Sequence, residues 1–161
     1  MTIEKLQSKH KQQAMEIFNY YVKNGTGAFP LDELPEVFFD KMLESVGDCP
    51  AYSVIENGKV IGFGFMKAYN PFQTFQKTVT ISYFLSPDYV NRGLGKQLLL
   101  ALEEDARTKG IDNIIAEIST ENIPSLKFHE KNNFRHCGTL EDVGSKFGRK
   151  FGVVYMQKRI R

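Results

Sequence analysis

No stretch of this chain approaches the roughly 20 consecutive apolar residues that a membrane-crossing helix needs, and the opening residues Met1-Thr2-Ile3-Glu4-Lys5 lack the apolar core of a signal peptide. A cytoplasmic protein without a membrane partner is the resulting expectation. Cysteine is scarce. Cys49 and Cys137 stand alone, with no CxxC pair and no metal-ligand spacing, which argues against a disulfide framework, structural zinc and a thiol nucleophile. Three scattered histidines, His10, His129 and His136, assemble no metal constellation, so no metal is expected. A strong excess of one charge is missing too: 21 Lys and Arg against 19 Asp and Glu leave a net charge of +2. That balance speaks against a protein devoted to nucleic acid, and the basic run of Lys146, Arg149, Lys150, Lys158, Arg159 and Arg161 reads as a solvated face. What remains is ordinary globular material: 161 residues, 42% hydrophobic, enough for one cored domain over 1–161.

The hydrophobic period changes along the chain. Ala14, Ile17, Phe18 and Tyr21 make a helical stripe ending at Asn24-Gly25, and Pro35 opens a second helix carrying Phe38, Phe39, Met42 and Leu43 before Gly47. The spacing then becomes that of strands. Residues 52–56 and 60–67 flank Asn57-Gly58, a dipeptide that favours a tight hairpin turn. A third strand from about Thr78 to Leu85 puts Val79, Ile81, Tyr83 and Leu85 on one face and Thr80, Ser82 and Phe84 on the other. Ile111 to Ser119 reads as another strand, followed by a short helix that Asn122 caps and Pro124 begins. Two last strands, 134–140 and 151–156, flank a loop from Gly144 to Gly152. Helices interleaved with a mixed sheet make an α/β or α+β layered domain.

Between the third strand and the next helix lies Pro87-Asp88-Tyr89-Val90-Asn91-Arg92-Gly93-Leu94-Gly95-Lys96. Leu94, Leu98 and Leu102 recur every fourth residue behind it, so the turn opens an amphipathic helix that stops near Gly110. Glycines at a helix mouth let the backbone approach a ligand without Cβ interference, while unpaired amides and the positive helix end attract a pyrophosphate. A dinucleotide site would need GxGxxG after the first strand of a βαβ unit, and a nucleotide P-loop would need a GK[ST] ending; the chain has neither.

These residues resemble the Gcn5-related N-acetyltransferase (GNAT) family, whose [RQ]xxGxG signature follows a strand and binds the pyrophosphate of acetyl-CoA. Val90-Asn91-Arg92-Gly93-Leu94-Gly95 matches its glycines, with Val90 in place of the usual Arg or Gln. A second stretch, Asn122-x-x-Ser125-x-x-Phe128-His129-Glu130-Lys131-x-x-Phe134, is similar to the family's NxxAxx[LF]YEKxGF, with His129 replacing Tyr. The resemblance runs from Ile3 to about Lys158. It is nearest to the phosphinothricin and methionine-sulfoximine acetyltransferase subgroup, through Asn19-Tyr20-Tyr21-Val22, Leu126-Lys127-Phe128-His129-Glu130 and Val143-Gly144-Ser145-Lys146-Phe147-Gly148-Arg149.

The resemblance implies a mixed, mostly antiparallel sheet whose fourth and fifth strands splay apart, with acetyl-CoA threaded between them. Tyr83, Phe84 and Leu85 would hold the pantetheine arm like an added strand, and Asn91, Arg92, Gly93, Leu94, Gly95 and Lys96 the diphosphate; Asn122 and Ser125 complete the cofactor set. It implies direct acetyl transfer to a primary amine of a small, amino-acid-like molecule, and a homodimer. The subgroup's proposed base, a glutamate, aligns with Thr80, which cannot serve. Phe72 and Gln73 stand where the subgroup carries a substrate-pocket arginine. Glu117, on the sheet face opposite Ala116 and Ile118, is the alternative base, placed like the glutamate of LEVxxxN in ribosomal-protein N-terminal acetyltransferases. His129 is the candidate donor to the leaving thiolate. Phe29, Thr80 and Lys146 fall to the acceptor side. Two rivals stay open: acetylation of a protein or peptide amine, and an acyl-CoA-binding module without catalysis.

Overall fold

Asn57 and Gly58 both take positive φ, 51° and 74°, and the tight turn they make joins β2 (Ala51–Glu56) to β3 (Lys59–Ala68) as a hairpin. The computed structural model describes all residues, Met1–Arg161. β1 (Thr2–Lys5) lies against β2, and α1 (Lys11–Asn24) and α2 (Val37–Val46) separate them in sequence. After β3 come β4 (Thr78–Leu85), α3 (Leu94–Thr108), β5 (Asn113–Ser119), α4 (Ile123–Lys131), β6 (Arg135–Lys146) and β7 (Arg149–Arg159). The seven strands form one sheet in the order β1-β2-β3-β4-β5-β7-β6, antiparallel except for the parallel pair β4–β5. α3 is the crossover that a parallel pair requires.

Each face of the sheet buries its own core. On one, Leu94, Leu98, Leu99, Leu102 and Ala106 of α3 pack on Val79, Ile81, Ile114, Ala116, Ile118 and Met156. On the other, Ala14, Phe18 and Val22 of α1 and Phe39 and Met42 of α2 cover Val60, Phe63 and Phe65. The alternation of β4 is what serves both: Tyr83 and Leu85 join the α3 side, Phe84 the α1 side. α3 seats directly over Gly64 of β3, where a Cβ would stand 2.9 Å from Tyr83 Cβ and 3.1–3.2 Å from Leu102 and Leu98 methyls.

The parallel pairing is short. Only Thr78, Val79 and Thr80 of β4 find partners in β5, at Asn113, Ile114 and Ile115. Beyond them the strands part, β4 held by β3 and β5 by β7 to their ends. The expected splay is therefore present.

Two expectations change. β1 carries no alternation long enough to show in sequence, being four residues at the sheet edge. The loop expected from Gly144 to Gly152 is strand: Gly144, Ser145 and Lys146 pair with Phe151, Lys150 and Arg149 around a turn at Phe147-Gly148, φ 55° and 70°. β6 hides its length because register shifts at 136–138 and 140–144, with Asp142 at φ 56°, break the two-residue period.

Gly64→Ala is expected to destabilise the fold by about 1–3 kcal/mol through overpacking, read as a lower urea midpoint with an unchanged m-value.

Candidate active site and family membership

A cavity of about 550 Å³ opens where β4 and β5 separate, lined by both strand ends, the turn before α3, the start of α4 and Tyr20, Tyr21 and Gly27 from the α1 side. At one end is the glycine turn. None of the amides of residues 90–96 donates to another backbone group, and the first α3 bond is Gln97 N–H to Gly93 O, 3.2 Å. Asn91 (φ 62°) and Gly93 (φ 77°) are both left-handed, so successive N–H groups converge as an anion nest at the positive end of α3. Leu94 is buried and anchors this turn. Gly95 lets α4 close in: its Cβ would sit 3.4 Å from the Phe128 ring. Arg92 contributes backbone here, since its guanidinium lies 3.7 Å from Glu56 and over the Tyr89 ring. Lys96 is exposed.

Tyr83, Phe84 and Leu85 all line the cavity, as expected for the wall of β4. Tyr21 Oη donates to Leu85 O at 2.6 Å, tying α1 to the strand end. Asn122 caps α4 by accepting from Ser125 N–H, 3.3 Å, and both residues line the cavity.

His129 is buried in the same wall. Its Nδ1 lies 2.6 Å from Ser125 O, an oxygen that can only accept, so Nδ1 carries the proton. Nε2 is then the acceptor for the Tyr83 hydroxyl. Burial brings the imidazole down to about 4, opposed by the Ser125 carbonyl, and pushes the Tyr83 phenol well up, with Glu103 adding to it. The expectation that His129 donates directly to a thiolate is revised: it is neutral, and both nitrogens are committed to protein partners.

Glu117 lines the cavity from an exposed position on β5. Directly across the ladder is Tyr155, whose phenol is raised chiefly by its hydrogen bond to the Glu117 carboxylate. The other acceptor-side expectations are not gathered. Thr80 sits at the last β4–β5 pair, outside the cavity lining. Phe29 stacks on Phe151, centroids 6.1 Å apart, and does not line the cavity either. Lys146 is buried, and its ammonium donates to Gly25 O (2.8 Å) and Ala28 O (3.0 Å). It is a strut for the loop after α1.

Sequence reasoning missed a second brace on that loop. Thr26 Oγ1 bonds Ser119 Oγ (2.6 Å) and donates to Glu121 (2.9 Å), and Glu121 receives Arg149 bidentately at 2.7 and 3.0 Å. Arg149 within the late motif was the only available signal.

The model for the "Acetyltransferase (GNAT) family" matches residues 14–134. The chain belongs to this family. Among its curated relatives is the L-methionine sulfoximine/L-methionine sulfone acetyltransferase of Pseudomonas aeruginosa, 37% identical over 100 residues, which cover 62% of this chain and 58% of that enzyme. The match thus spans less than two thirds of that relative. Solved structures of similar fold include ribosomal-protein-alanine N-acetyltransferase from Brucella melitensis, TM-score 0.92 at 27% identity over 99% of both chains. Another is yncA from Salmonella typhimurium with its cofactor acetyl-CoA, TM-score 0.90 at 26% identity, covering 100% of this chain and 94% of that one.

A neutral folded His129 fixes a pH dependence for this GNAT chain. Between its unfolded value near 6.5 and about 4, the unfolded chain takes up a proton that the folded one refuses. Stability is therefore full above about pH 6.5 and falls by about 3 kcal/mol as pH drops to 4. Urea titrations from pH 7 to 4 are expected to show this slope in the wild type and lack it in His129→Gln.

Proposed function

We propose that this chain is an N-acetyltransferase that moves acetyl from acetyl-CoA directly to the primary amine of a small, amino-acid-like molecule. The row of unpartnered amides at 90–96, at one end of a cavity between diverging strands, carries this reading. A diphosphate fits that nest, and the open edges of β4 and β5 offer backbone partners to an extended arm running inward from it. The solved relative from Salmonella typhimurium with acetyl-CoA supports the same ligand.

Acetyl-CoA supplies an activated thioester carbonyl. The amine nitrogen attacks it, the C–N bond forms, the C–S bond breaks, and the proton lost by nitrogen balances the one gained by sulfur. Glu117 is the base that takes the amine proton, directly or through one water. His129 is a positioning residue: it holds the Tyr83 phenol in the wall where the thioester lies. Neither cysteine serves as a covalent nucleophile, since Cys137 is exposed and Cys49 packs against the core, neither lining the cavity.

We take the protein to act in the cytoplasm as a homodimer. Two unpaired cysteines suit a reducing compartment, and the exposed aromatics Tyr69, Phe72 and Phe75 suit a subunit contact. Acetylation of a peptide amine is the second reading, favoured by the fold shared with the ribosomal-protein-alanine enzyme.

Calorimetry is expected to show CoA binding, weakened about tenfold by Gly93→Ala, which forces a Cβ into φ 77°. Glu117→Gln is expected to lower kcat/KM at neutral pH about 100-fold while leaving the CoA affinity unchanged. No CoA binding by the wild type would overturn the reading.

A further inference from the structure

We propose that the acceptor is a primary amine with no carboxylate beside its nitrogen, the decarboxylated skeleton of an amino acid. The proposal rests on the acetyl-transfer reading and narrows its substrate.

A free amino acid brings a carboxylate into the cavity within a few ångströms of the reacting nitrogen, and that charge needs a cation or a set of free N–H groups once water is displaced. The side-chain cations of the late hairpin and the amides at the start of α4 are used by the protein itself. Lys146 gives its ammonium to Gly25 O and Ala28 O. Arg149 turns its Nε–Nη2 edge to Glu121 as a bidentate pair. The start of α4 is closed as well: Ile123 N–H goes to Glu121 O, Ser125 N–H to the Asn122 side chain, Leu126 N–H to Asn122 O, and Pro124 has none. His129 is uncharged, its Nδ1–H on Ser125 O and its Nε2 taken by Tyr83. The free amides of 90–96 lie at the far end, where the diphosphate belongs.

What the cavity does offer suits a cation. No lysine or arginine lines it, and Glu117 is its one acidic side chain. A substrate carboxylate would face that anion without compensation, whereas an ammonium group is attracted to it. The rings of Tyr20 and Tyr21, at 5.2 Å and edge to face, and of Phe84, 5.8 Å from Tyr21, complete an aromatic wall that accepts cations and apolar stems alike. The loop after α1, pinned by Lys146 and Thr26, bounds this end and favours a small molecule over a chain.

Lys67 is the cation that tests the argument. It is half-buried on β3, cross-strand from Thr80 and outside the cavity lining.

The experiment measures kcat/KM, by thiol release at saturating acetyl-CoA, for two matched pairs: L-methionine sulfone against 3-(methylsulfonyl)propylamine, and L-phenylalanine against 2-phenylethylamine. Lys67→Met and an amidated hexapeptide are run alongside. The amine of each pair is expected to lead by about tenfold or more, with the ratio the same in Lys67→Met. Faster turnover of the amino acids overturns the inference and leaves the transferase reading intact. So does a ratio that rises in Lys67→Met, because Lys67 would then be reading the carboxylate. A peptide that outruns both members of each pair overturns it in favour of a chain substrate. Turnover of no amine at all overturns the transferase reading, and this inference with it.

Discussion

The parting of β4 from β5 after Thr80 is the constraint on which the rest of the molecule turns. Inside a sheet every backbone N–H and C=O has a neighbour, and a strand edge left open in the interior is costly unless something else satisfies it. Here each diverging strand is secured from outside, β4 by seven cross-strand pairs with β3 and β5 by β7 along its whole length. The gap can therefore stay open without either strand losing its place. The turn into α3 lies at the mouth of the same gap, and its amides likewise donate to no other backbone group. Open strand edges and open helix amides form one continuous track of donors and acceptors.

Charge around that track is used with economy. Buried ions survive only when paired or hydrogen-bonded, and the chain spends its cations accordingly. Lys158 lies 2.5 Å from Glu103, a carboxylate of α3 that is 1% exposed. Lys146 is folded onto two carbonyls, and Arg149 onto Glu121. These pairings hold the loop after α1 and the β6–β7 hairpin against the end of β5. Their consequence for chemistry is indirect. With the surrounding cations consumed by architecture, the polarity of the cavity is left to Glu117, to hydroxyls and to aromatic rings. Tyr83 and His129 follow the same logic in neutral form, each satisfying the other inside a wall too dry to tolerate an imidazolium.

The sequence by itself determined the local parts. The Asn57-Gly58 turn, the leucine stripe of α3, the alternation of β4 and the glycines before α3 are governed by side-chain period and by which residues tolerate φ > 0. Those properties act within a few residues. The short helix capped by Asn122 and the placement of Glu117 opposite Ala116 and Ile118 were legible for the same reason. Where local pattern was weak the reading was shorter than the structure: β1 has four residues, and β6 is broken by bulges and a left-handed Asp142. Tertiary structure alone decided that Lys146 reaches a loop 118 and 121 residues earlier, that Thr26 meets Ser119 across 93, and that His129, neutral through burial, meets a tyrosine 46 positions away. A side chain's charge state and free hydrogen-bonding capacity depend on which groups folding brings within about 3 Å, and no periodicity in the chain encodes that distance.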